Sequence, residues 1–81
     1  MTRDNANRYL AAILTTLADA KWAPEGHLYA ALMGEMSLDE FQILMGIAQK
    51  GELVEVSSHV VTITSKGREL AKKIEAFAAA Q

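Results

Sequence analysis

The side chains that carry chemistry in this 81-residue chain are few: two histidines, His27 and His59, and no cysteine. A zinc site gathers three or four imidazole, thiolate or carboxylate ligands. Neither histidine has a second ligand at metal-binding spacing, even if an acid such as Glu55 is recruited. Ser57-Ser58-His59 places a hydroxyl beside an imidazole in sequence, but neighbours on a tight turn do not face one another as a nucleophile and its base must. The five glycines include no phosphate-cradling G-x-x-x-x-G-K pattern. The expectation is a non-enzymatic module with no catalytic residues, metal or cofactor.

Binding chemistry is better represented. Lys66, Arg68, Lys72 and Lys73 form a cationic cluster opposed locally only by Glu69. Lys66, Arg68 and Lys72 are suited to pair with phosphates. The alternative is that the cluster is the solvated side of an amphipathic helix whose other side is Leu70, Ile74 and Phe77. The middle of the chain has the opposite sign: from Asp19 to Glu55, Lys21 and Lys50 stand against seven carboxylates, a net −5. The formal charge of the whole chain is −2, which excludes a globally basic nucleic-acid binder. With 51% hydrophobic and 22% charged residues the chain is of globular type. Its 8.8 kDa make a single domain. A domain of this size buries about 60–65% of its unfolded surface, so its stability margin is thin.

Periodicity indicates the elements that must hold these groups. Arg3, Arg8, the run Tyr9–Leu17 and Ala18-Asp19-Ala20 loosely imitate a secretory signal. Leu10, Ile13, Leu14 and Leu17 instead mark one helical stripe, interrupted by Thr15 and Thr16, and Asp4 spoils a positive leader. No run approaches the ~18 apolar residues of a membrane span, and a cytoplasmic protein with no membrane partner is expected. A first helix is predicted over 5–21, with Asp4 as N-cap and Lys21 in the last turn. Pro24 then suits the first position of a second helix, 25–33, with Leu28, Ala31 and Leu32 buried and Gly34 as a left-handed C-cap. Ser37-Leu38-Asp39-Glu40 is a capping box with Met36 and Phe41 as its staple, opening a third helix, 37–50, that stops at Gly51. Strands follow at 53–56 and 60–63, joined by Ser57-Ser58-His59 as a tight turn without glycine. A last helix, 65–79, is capped by Thr64 or Ser65 and frays into the tail Ala78–Gln81.

Two helices joined by the short turn Gly34-Glu35-Met36 fit a helix-turn-helix. The stretch LVEVSSHVVTITSKGREL (53–70) resembles the winged-helix family, in particular MarR- and PadR-type bacterial and archaeal transcription regulators. There a recognition helix ends in a Gly-Leu-Val-like corner, passes through the wing and enters a final helix through Leu-Thr-x-x-Gly. Here that motif reads Ile63-Thr64-Ser65-Lys66-Gly67, and the corner Gly51-Glu52-Leu53-Val54 carries an additional acid. The resemblance covers about residues 25–75. It implies an α+β, mainly α winged helix: a three-helix core, a two-stranded hairpin wing and a C-terminal helix. It also implies that residues 37–50 read duplex DNA and that Ser57-Ser58-His59 is the wing tip. The candidate DNA contacts are then Gln42, Gln49, Lys50, Ser57, Ser58, His59, Lys66, Arg68 and Lys72.

The residues also support a different partner. Asp39 and Glu40 lie at the end of the helix where base contacts usually fall, and the hairpin has no lysine or arginine. Phe41, Leu44, Met45 and Ala48 form one apolar face of the third helix, while Ile43 and Ile47 point partly away from it. A helix apolar nearly all round must be covered on more than one side. The first and last helices offer a two-fold dimer contact through Tyr9, Ile13, Trp22, Ile74 and Phe77. Of Met33, Met36 and Met45, two are expected in the core. Binding of duplex DNA as a homodimer ranks first, and a protein-interaction module using the acidic and apolar surface, without DNA, is the alternative.

Overall fold

A computed structural model describes the backbone of residues 2–79 and the side-chain surroundings of residues 2–77. Helix α1, Arg3–Ala20, begins two residues before its expected start because Thr2, rather than Asp4, is the N-cap, its Oγ1 accepting the Asn5 N–H at 3.1 Å. The stripe read from the sequence is its buried side: Ile13, Leu14 and Leu17 are inaccessible to solvent. Lys21 ends the helix at φ 72°, its N–H donating to the Leu17 carbonyl at 2.6 Å. That bond turns the chain sharply into strand β1, Trp22–Pro24.

Strand β1 is an element the sequence did not announce. It leads directly into α2, Glu25–Leu32, for which Pro24 is the N-cap and not the first helical residue. Leu28 and Leu32 are buried as expected, whereas Ala31 is exposed. Gly34 does not take a left-handed conformation, since no glycine here has positive φ. The helix ends instead on Met33 in right-handed geometry, and the N–H groups of Glu35 and Met36 both donate to the Leu32 carbonyl.

Helix α3, Leu38–Lys50, starts on the capping box. Ser37 Oγ accepts the Glu40 N–H at 3.2 Å, and the Glu40 carboxylate accepts the Ser37 N–H at 2.9 Å. The flanking pair Met36 and Phe41 is buried, and the Phe41 ring lies 5.2 Å from that of Tyr29 on α2. At the far end Gly51 is the C-cap at φ −79°, and the positive φ falls on Glu52, at 60°. The N–H of Leu53 reaches the Ala48 carbonyl and that of Glu52 reaches Gln49, the paired bonds of a Schellman ending. Leu53 and Ala48, the two positions that pack together in such an ending, are both buried in the core.

Strands β2, Val54–Ser57, and β3, Val60–Ile63, form the hairpin. Its loop is Ser58-His59 and not the expected Ser57-Ser58-His59, because Ser57 pairs with Val60 and ends β2, which starts at Val54 instead of Leu53. Both loop residues have positive φ (50° and 65°), as a two-residue turn matched to strand twist requires. Strand β1 pairs with the other edge of β3 (Trp22 with Thr62, Pro24 with Val60), giving the antiparallel order β1-β3-β2. Helix α4, Ser65–Ala79, follows at once. Thr64 caps it, its hydroxyl accepting the Gly67 N–H at 3.0 Å while lying 2.6 Å from the Glu52 carbonyl oxygen, to which it donates. Gly67 and Ala71 are its buried residues among those described; Leu70 and Ile74 are half-buried and Phe77 is exposed. Part of the expected alanine tail lies outside the described residues.

The described residues thus form four helices and one three-stranded antiparallel sheet, a mainly helical α+β architecture. One core joins α1, α2, α3, the inner face of the sheet and Ala71. Met36 and Met45 belong to it, and Met33 is exposed.

Candidate functional site

Helix α3 buries Phe41, Leu44, Met45 and Ala48, which fixes what its opposite side must present. Leu38, Asp39, Gln42, Ile43, Gly46, Ile47, Gln49 and Lys50 all remain exposed. Leu38, Ile43 and Ile47 keep 49%, 56% and 48% of their surface accessible. At 3.6 residues per turn, Asp39, Ile43, Gly46 and Lys50 fall within about 60° of one another, along the middle of this outer face. Nothing lies within 4 Å of where a Cβ at Gly46 would sit. The face therefore carries Ile43 and Ile47 beside the open position at Gly46, with an acid at its N-terminal end and a base at its C-terminal end, while Leu38 lies at its far edge.

Glu40, at the edge of this face, has its pKa lowered because its carboxylate accepts the Ser37 N–H and also interacts with the Ser37 side chain. The negative charge at the head of α3 is therefore held by the same bonds that start the helix.

All nine residues expected to contact DNA are exposed, but only three of them line one groove. Gln49, Lys66 and Arg68 line an open groove of about 680 Å³, between the end of α3, the start of β2 and the first turn of α4. Glu52 and Glu55 line the same groove, so its two cations face two carboxylates. Gln42, Lys50, Lys72 and the hairpin residues Ser57, Ser58 and His59 are not among its lining residues. The hairpin tip is tied elsewhere: the His59 carbonyl accepts the Glu25 N–H at 2.7 Å, anchoring the turn to the start of α2.

The expected dimer surface is corrected in part. Ile13 is fully buried and is a core residue. Tyr9 and Ile74 are partly buried and pack against the core. Helices α1 and α4 lie against each other within the chain, so much of the apolar surface assigned to a second copy is already covered. Trp22 and Phe77 stay exposed, at 56% and 70%. Sequence reasoning singled out Ile43 and Ile47 and left one of the three methionines for the surface, which is Met33, but passed over Leu38 and Gly46 as surface features. The position of Gly46 opposite Phe41, Leu44 and Ala48 on the helical wheel was the available signal for it, whereas Leu38 falls one turn before Phe41, beside the buried face.

Among the described residues no group of three or more histidines and acids is placed to hold a metal ion, and no helix is long and apolar enough to cross a membrane. Comparisons with protein-family models, curated proteins and solved structures found no match.

Proposed function

We propose that this chain is a winged-helix domain, without enzymatic activity, whose working surface is the outer face of α3, and that this face docks another protein. The order of elements supports the fold reading, together with the Thr64-x-x-Gly67 entry into α4 and a hairpin that directly follows α3. One observation carries the functional reading: the face that a winged helix would offer to a DNA groove holds the half-exposed aliphatic side chains of Ile43 and Ile47 together with Asp39. Phosphate neutralisation by lysine and arginine supplies most DNA affinity, and of the basic side chains only Lys50 lies on this face. Apolar side chains held open on a rigid helix gain most by leaving water against another apolar surface.

Duplex DNA is the second reading, favoured by Gln49, Lys66 and Arg68 lining one groove. Titration against mixed-sequence duplex at about 50 mM and about 200 mM salt separates the two, because DNA binding falls steeply between these concentrations. The docking reading expects no association at the lower salt. Micromolar binding that collapses at the higher salt overturns it in favour of DNA.

A further inference from the structure

We propose that the occupant of the α3 face is α3 of a second copy of this chain, packed antiparallel across a two-fold axis. The inference rests on the docking reading above and adds the identity of the partner. A two-fold contact must be complementary to itself, each residue i that meets j being matched by j meeting i. An antiparallel pair centred between Leu44 and Met45 places 39 opposite 50 and 43 opposite 46 of the other copy. Asp39 then meets Lys50, and the Ile43 side chain enters the open notch over Gly46. Both matches occur twice by symmetry, and all four residues share the middle of the exposed face.

The charges fit this direction and no other. Asp39 is in the first turn of α3 and Lys50 in the last, so antiparallel packing sets unlike charges side by side. It also brings the opposite ends of the two helix dipoles together. Parallel packing would put Asp39 on Asp39. Gly46 adds a separate argument. Glycine inside a helix costs about 1 kcal/mol relative to alanine, and among the described residues no other side chain or neighbouring element occupies the space it opens. An isoleucine from another helix would fill it.

One helix pair buries less than a standard interface, so a weak dimer is expected, with dissociation on the order of 10–100 µM. Sedimentation equilibrium on the intact chain, up to on the order of 1 mM, should show the mass rising from 8.8 kDa towards twice that value. Asp39→Lys and Lys50→Asp, made singly, should each weaken association about tenfold, since each turns two attractive pairs into two repulsive ones. The double variant D39K/K50D should regain wild-type association. Thermal melts of all three variants establish that each is folded. A wild-type mass that stays at 8.8 kDa throughout overturns the second-copy proposal, as does a double variant no better than the single ones. Neither result touches the docking reading, which falls only to salt-sensitive binding of duplex DNA.

Discussion

At Gly67 the first turn of α4 runs so close to the chain leaving α3 that a Cβ would land on the Leu53 carbonyl oxygen and 2.9 Å from Cγ1 of Ile63. The obstacle is largely backbone, and that backbone is itself pinned: the Thr64 N–H donates to the Leu53 carbonyl at 3.0 Å, and the Thr64 hydroxyl reaches Glu52. Gly67→Ala should therefore destabilise by about 2–3 kcal/mol and lower Tm by roughly 10 °C or more, measured by circular dichroism. Unchanged stability would mean that this junction yields. The motif Thr64-x-x-Gly67 was visible in the sequence, but the reason for its glycine was not, because Leu53 is fourteen residues away along the chain. Lys21, Glu52, Ser58 and His59 were hidden for a related reason. Each takes positive φ without being glycine, so residue type gave no warning of the turn.

Among the elements, α3 was the most legible, because everything that starts it lies within six consecutive residues. Ser37, Glu40, Met36 and Phe41 act on one another locally, so the reading needed no knowledge of the rest of the molecule. The Glu40 carboxylate is stabilised by the Ser37 N–H and its pKa is lowered from 4.5. The unfolded chain therefore binds the proton first. The cap's ionic contribution is complete above the unfolded value and is lost as pH falls through the lower, folded one. Glu40→Gln keeps an acceptor for the Ser37 N–H but removes the titration. Wild type should accordingly exceed this variant in stability by a constant amount above about pH 6, and the difference should shrink below about pH 4.5. Urea melts across that range provide the measurement, and a difference independent of pH would show that the carboxylate charge contributes nothing. Strand β1 is the opposite case. Three residues ending in proline carry no strand signal of their own, and Trp22–Pro24 is extended only because β3 offers it an edge. The first turn of α1 was misread for a smaller reason: Thr2 and Asp4 are both good caps, and the choice between them is not local to either.

At the scale of the whole molecule, stability rests on one core that α1 crosses with Ile13, Leu14 and Leu17. A domain this small has a total of about 4–12 kcal/mol to lose. Leu14→Ala should remove about 2–5 kcal/mol of it, seen as a lower urea midpoint with an unchanged slope. A shift under about 1 kcal/mol would mean that α1 is not integral to the core. The same packing decides which apolar surface is left for partners. Because α1 and α4 cover each other within the chain, Ile13 is lost as a contact residue, and the open aliphatic surface lies on α3 instead.

The sequence by itself determined the existence and order of the helices, the α3 cap and the presence of the hairpin. These depend on periodicity and on bonds between residues three or four apart, which a single chain read in order contains. Tertiary structure alone decided the third strand, the need for glycine at 67 and which of two apolar faces of α3 stays open. Each of those depends on a neighbour distant in sequence, and burial belongs to the packed arrangement, not to any residue within it.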